Sequence, residues 1–200
     1  MTILDIFIDP FSVPSYLALK PTFELCAELK VMPVWHPFRA PLERRPSKDL
    51  DADVRQRHQR VRQEYRDHDY ARYAAWQGIP FQRPAPAANR DLIDYALLRV
   101  GASPQATAFL KALTRQLWGG QPEPDGQALA DLTEIPTLLA DFEHNGASAL
   151  AGQTRQSDPL GIFDAPAFLI DGELFIGRQH LPALRHLLTV GNPFSPQSTT

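Results

Sequence analysis

A single cysteine, Cys26, stands in a chain of 200 residues. No intrachain disulfide can form, and a cysteine-rich metal cluster is excluded. The six histidines show neither an H-x-x-x-H nor an H-E-x-x-H spacing, so no metal site is expected. No apolar run approaches the ~18 residues that a membrane-spanning helix needs. The opening, MTILDIFIDP, has no basic region, long apolar core or small-residue cleavage site of a secretory leader, so a cytoplasmic protein is expected. Neither sign of charge is in excess. Twenty Lys and Arg against 23 Asp and Glu give a net charge of −3, which argues against nucleic acid or an anionic membrane as partner. There is no G-x-S-x-G, no phosphate-cradling loop and no G-x-G-x-x-G, so a nucleophile-elbow hydrolase and a nucleotide-binding enzyme are disfavoured. No internal repeat is visible.

What is present is an ordinary globular composition, 44% apolar and 22% charged, punctuated by 19 prolines. Thr2 to Ile8 predicts a short strand buried on both faces, ending at Asp9-Pro10. Ser12 to Lys30 predicts a helix, with Tyr16, Leu19, Phe23, Cys26 and Leu29 on one buried stripe and Pro21 as a kink or a break. On that stripe Cys26 is expected to be a buried, inert thiol. Val31 to Phe38 predicts a second strand, in which Trp35 and His36 either line a cleft or pack in the core. A loop from Pro41 to Asp53 follows. Asp53 is placed to cap a long helix ending near Gln77, before Gly78 and Pro80. Val54, Val61, Tyr65, Tyr73 and Trp76 approximate one face of that helix, its Arg-rich remainder reads as solvated, and Arg72 is expected to play a structural part, paired with Asp69 or with a neighbour across the insert. Helices are predicted over Leu92–Val100, Gln105–Leu117, Gly126–Leu132 and Pro136–Leu150. The last fifty residues predict a strand at Ala167–Ile170, a turn at Asp171-Gly172, a return strand at Leu174–Ile176 and a helix over Gly177–Leu188. Strand–helix–strand, a helical middle, then strand–hairpin–helix is the order expected of a helical segment inserted into an α/β core.

Ser12 and Ser15 sit three apart at the mouth of the first helix. This is the setting of a C-x-x-C redox pair with both sulfurs replaced by oxygens. A helix N-terminus offers unpaired N–H groups and the positive end of its dipole, which stabilise an anion there. A serine hydroxyl stays protonated near neutral pH, so Ser12 cannot be that anion. It can donate a hydrogen bond to a thiolate supplied from outside, or it can simply cap the helix.

Asp9-x-x-Ser12-x-x-Ser15-Tyr16-Leu17-Ala18 resembles the opening motif of 2-hydroxychromene-2-carboxylate isomerases, which group with kappa-class glutathione transferases among DsbA-like thioredoxin folds. Asp69-Tyr70-Ala71-Arg72-Tyr73 with Gly78-Ile79-Pro80, and Gly161 to Phe168 with Asp171 to Gly177, are similar to two later motifs of that family and lie in the same order. The resemblance implies a thioredoxin-like domain over residues 1–40 and 155–191, an inserted helical domain over 41–154 and a flexible tail over 192–200. It implies reduced glutathione as cofactor, contacted by Ser12, by Ala165 and Pro166 of a cis-proline loop, and by Arg178 and Gln179, with Ser12 as the catalytic residue. A cis turn at Pro166 is expected to expose the backbone N–H and C=O of Ala165 to the thiol peptide, while Ser15 is structural. The implied reaction is thiolate addition to an activated C=C bond, rotation and elimination. The implied substrate is an unsaturated aromatic keto acid, its charge met by cations among Arg39, Arg44, Arg45 and Lys48. A homodimer is implied as well. The chain departs from the motif at Val13, at Asp164, at Arg178-Gln179-His180 and in lacking an asparagine in Arg44–Lys48. Two other readings stay open. One is a ligand-binding module of the same fold without glutathione chemistry, and the other is a disulfide oxidoreductase, which serines at 12 and 15 oppose.

Overall fold

The computed structural model describes residues 3–41 and 54–190. Four strands form one mixed sheet: β1 (Leu4–Ile8), β2 (Pro33–Pro37), β3 (Ala167–Ile170) and β4 (Glu173–Ile176), in the spatial order β2-β1-β3-β4. β1 runs parallel to β2 and antiparallel to β3, and β3 pairs with β4 as a hairpin. The hairpin turn is Asp171-Gly172, both with positive φ (49° and 83°), as a tight two-residue turn requires. The return strand starts one residue earlier than its apolar run, at Glu173.

Between β1 and β2 lies α1 (Val13–Leu29). Between β2 and β3 stand α2 (Val54–Gln77), α3 (Arg90–Val100), α4 (Ala106–Trp118), α5 (Gly126–Thr133) and α6 (Leu138–Ser157). α7 (Leu181–Val190) closes the described chain. Strand registry puts Leu4, Ile6, Trp35, Phe168 and Ile170 on one face, and all of them are buried. One continuous apolar core takes in that face, α1, α3, α4 and α7. At the sheet edge β2 is met by the end of α3, where Gly101 O accepts from Trp35 N at 2.9 Å. A Cβ at Gly101 would fall 2.0 Å from Trp35 O, so this close approach requires glycine.

Pro21 does not split α1, which runs unbroken through Leu29. A proline has no N–H for the carbonyl four residues earlier. Here the Gln77 side-chain amide donates to that carbonyl, Leu17 O, at 2.9 Å. The released carbonyl thereby ties α1 to the end of α2. Tyr16 Oη donates to Pro80 O at 2.6 Å in the same seam.

Several expectations need correction. α6 runs to Ser157, beyond the predicted end at Leu150. The last helix starts only at Leu181, after a short 3-10 turn at Arg178–His180, because Gly177 holds φ +99° and breaks the regular backbone. Of the apolar stripe of α2, Tyr73 packs against the core and the other four positions do not. Val54, Val61, Tyr65 and Trp76 are all exposed, and Gln63 and Ala74 are the residues that α2 buries. Asp53, Arg44, Arg45, Lys48 and the tail 192–200 lie outside the described residues. No helix among the described residues is long and apolar enough to cross a membrane.

Candidate functional site

Topology gathers the expected site residues at one end of the sheet. β1 leads out through Ile8 to Asp9 and Ser12, and the start of β3, just after Ala165-Pro166, pairs with Phe7. Ile176 of β4 lies opposite Ala167, so Arg178 and Gln179 follow at the same end. Pro37 of β2 pairs with Ile8, which brings Phe38, Arg39 and Ala40 there too. The 3-10 turn Arg178–His180 lies against α1.

Ser12 is the N-cap of α1, in extended backbone, and its Oγ accepts from Ser15 N at 3.2 Å. Its own O–H proton has no acceptor among the described residues and is free to donate. No acidic side chain occupies the first turn of α1, so the positive helix end is unneutralised by its own residues. Ser15 is fully buried, and its Oγ accepts from Asp9 N at 3.1 Å, a structural bond.

The Ala165-Pro166 peptide is cis. Pro166 O accepts from Gly177 N at 2.7 Å, which fixes the proline loop to the end of β4. Ala165 is only 2% exposed, and its N–H donates to Asp164 Oδ1 at 2.8 Å. The expectation of a bare Ala165 backbone is therefore not met. Where the family motif has glycine, Asp164 supplies a carboxylate that takes up the N–H. Arg178 lays its guanidinium over the Tyr73 ring at 3.6 Å, a cation–π contact between the turn and α2. Gln179 Nε2 donates to Ile176 O at 2.9 Å, in its own turn.

Behind Ser12 lies a buried charge network that the sequence reading did not single out. Asp9, 3% exposed, accepts from Phe11 N and Ala40 N and is paired with Arg90 at 2.7 Å. Asp94, 2% exposed, is paired with Arg39 Nε at 2.7 Å and lies 3.8 Å from Arg90 Nε. Arg39 also reaches Asp91. Three carboxylates thus face two guanidiniums. Burial pushes the Asp94 carboxyl up to about 6, against the opposing pull of Arg39 and Arg90. Below about pH 6 a proton taken up by Asp94 balances the cluster. The sequence signal was the Arg90/Asp94 pair one helical turn apart. Arg39, Asp91 and Asp94 line one side of a cavity of about 370 Å³, and Phe38, Leu150 and Ala151 form its apolar wall.

Other candidates resolve as packing. Trp35 is buried with its ring edge toward Phe23. His36 stacks on Phe7 at 4.6 Å and meets Asp5 at 2.7 Å and Gln153 at 3.3 Å. Arg72 pairs with Asp69 at 3.8 Å, as expected. Cys26 is buried, and desolvation raises its thiol to about 11, so it carries no thiolate near neutral pH. No group of acidic, histidine or cysteine side chains among the described residues is arranged to hold a metal ion.

This architecture, a four-stranded mixed sheet with helices inserted ahead of a cis-proline hairpin, is that of a DsbA-like thioredoxin fold. The chain resembles 2-hydroxychromene-2-carboxylate isomerases within that class. It is 32% identical over 127 residues to the 2-hydroxychromene-2-carboxylate isomerase of Sphingobium xenophagum, a match spanning 60% of this chain and 65% of that protein. A solved 2-hydroxychromene-2-carboxylate isomerase superposes with a TM-score of 0.67 at 23% identity, covering 93% of this chain and 94% of the other. A probable DsbA oxidoreductase from Streptomyces coelicolor gives 0.68 at 16% identity, covering 96% and 90%. The cytosolic disulfide reductase DsbM from Pseudomonas aeruginosa, solved with GSH, gives 0.57 at 15% identity, covering 94% and 98%. No family model matches the chain.

Proposed function

We propose that the chain is a glutathione-dependent isomerase of the 2-hydroxychromene-2-carboxylate isomerase type. The observation that carries this reading is the meeting, at one end of the sheet, of an unneutralised α1 N-terminus, a Ser12 hydroxyl with a spare proton, and a cis-proline loop, in a chain with no thiolate of its own. The sulfur end of a thiol peptide fits this site, since the Ser12 O–H and the Val13 N–H can offer hydrogen bonds to a thiolate, while Pro14 has no N–H and the Ser15 and Tyr16 N–H groups are already held by Ser12. Its backbone fits less well, because the Ala165 N–H is already held by Asp164. Asp164 is itself exposed, so its carboxylate can turn away. When bound, glutathione supplies a nucleophilic sulfur that adds reversibly to an activated C=C bond and lets it rotate while single.

The chain's own residues then have separable tasks. Ser12 holds the sulfur in its charged form. Arg39, half-exposed on the wall of the 370 Å³ cavity, is the cation offered to a substrate carboxylate. That guanidinium is shared between Asp91 and Asp94, and protonation of Asp94 below about pH 6 leaves Asp91 as its one ionised partner. The apolar wall of Phe38, Leu150 and Ala151 suits an unsaturated aromatic keto acid.

A second reading, a ligand-binding module without glutathione chemistry, is favoured by the captured Ala165 N–H and by Gln179, whose amide serves its own turn. Calorimetric titration with reduced glutathione separates the two. Ser12→Ala is expected to weaken binding by about 10- to 100-fold, the worth of a hydrogen bond to a charged group. Asp164→Gly is expected to tighten binding by about fivefold by releasing the Ala165 N–H. Absence of binding at millimolar thiol in wild type and Asp164→Gly alike would exclude the isomerase reading.

A homodimer through α2 belongs to the same proposal. The ends of its exposed stripe are symmetric about Tyr65, with Val54 eleven positions before it and Trp76 eleven after, while Val61 mirrors Asp69. Eleven residues are about three helical turns. Two copies of α2 crossing antiparallel at Tyr65 would set Val54 of each beside Trp76 of the other, as an isologous interface requires.

A further inference from the structure

Beside α1, a groove of about 590 Å³ opens between α1, the start of the α2–α3 connection and α4. Its floor is apolar and water-poor. Tyr16 and Leu19 are 5% and 3% exposed, and Phe23, Ile79 and Pro80 complete it. Desolvation there raises the Tyr16 phenol to about 12. Ser12 and the cis-proline loop do not line the groove, and it does not depend on the isomerase reading.

The rim is unlike the rest of the molecule. Lys20, Lys111 and Arg115 stand over the apolar floor, with Glu24 as the opposing acid, although the chain as a whole carries a net charge of −3. Lys20 is engaged with Gln77 O at 2.6 Å. Lys111 holds its ammonium over the Phe23 ring at 5.2 Å, at the junction of rim and floor. Arg115 lies one turn further along α4, and no acceptor is recorded for its guanidinium among the described residues. Two cations without carboxylate partners among the described residues thus border an apolar slot. A neutral apolar ligand would leave them unused, and a small hydrophilic anion would leave the floor empty.

We propose that this groove binds an amphiphilic carboxylate, an anionic head on an apolar body. Lys111 and Arg115 meet the head, while Leu19, Phe23 and Ile79 take the body. The cations are exposed on α4, so their substitution leaves the core untouched.

The test is calorimetric titration of the full chain with decanoate, and with 1-decanol as the uncharged probe of equal length. Decanoate is expected to bind one to one in the micromolar range. 1-Decanol is expected to bind at least tenfold more weakly. Lys111→Glu with Arg115→Glu is expected to weaken decanoate at least tenfold, and the exchange Lys111→Arg with Arg115→Lys to restore it. Far-UV circular dichroism confirms that each variant is folded. Equal affinity for the alcohol, an unchanged affinity in the double Glu variant, or no decanoate binding to the wild type would each overturn the proposal.

Discussion

Among the described residues, Asp94 is the carboxyl whose titration is displaced furthest toward neutral pH. Its carboxyl titrates near 6 in the folded protein, above the ordinary carboxylate value of about 4. The folded state therefore holds a proton that the unfolded chain has released between those two values. Stability from this group is complete below pH 4 and is lost as pH rises through 6. The loss amounts to at most about 3 kcal/mol. Asp94→Asn mimics the protonated form. It is expected to leave stability unchanged near pH 4, to raise it above pH 6, and to flatten the slope between, as read by urea titration at several pH values. A variant less stable than wild type at pH 8 would contradict this account. Ser12 was legible in the sequence as a helix cap with possible chemistry, because its neighbours are local. The network behind it was not, because Asp9, Arg39, Arg90 and Asp94 come from three separated segments that only the fold brings together. The capture of the Ala165 N–H by Asp164 was hidden for another reason. The departure from the motif was visible, but its hydrogen bond depends on side-chain direction.

At the scale of elements, α1 shows how a forbidden residue is accommodated. Pro21 frees Leu17 O, and Gln77 of α2 replaces the missing donor. Gln77→Leu is expected to cost about 1–3 kcal/mol, since it leaves that carbonyl unpaired. In a Pro21→Ala background the helix supplies its own N–H, and the same change is expected to cost little. A double-mutant cycle by thermal denaturation checks this, and equal costs in both backgrounds would show that the bond is incidental. Strands, α1, the hairpin and the helical order were legible because apolar period, caps and turn residues act within a few positions. The orientation of α2 was not. A stripe of Val, Tyr and Trp looks the same in sequence whether it faces the core or the solvent, and here all of it but Tyr73 faces solvent.

For the whole molecule, the open matter is assembly. About the first three turns of α2 bury only Gln63, whereas its C-terminal part is tied to the core through Tyr70, Tyr73, Ala74 and Gln77, so the exposed part draws little stability from its own chain. The proposed antiparallel pairing predicts that Tyr65→Glu shifts the mass measured by light scattering from dimer to monomer without unfolding the protein. A wild type that is monomeric at every concentration would remove the α2 interface. Here the sequence hinted at partnership only through resemblance, since an isologous contact leaves no mark that a single chain can satisfy internally.

The three tryptophans sort by environment. Trp35 and Trp118 are 1% and 0% exposed, whereas Trp76 is 71% exposed. Trp118 also stacks on Tyr16 at 4.3 Å and donates to Pro10 O at 2.9 Å, next to the mouth of α1. The molecule thus carries two optical reporters at separate places. The red-shifted part of its emission belongs to Trp76 and will move to the blue if α2 finds its partner, while the buried part answers to events at the end of α1. Trp76→Phe separates the two signals in one step, and lets association and ligand binding be followed independently without any added label.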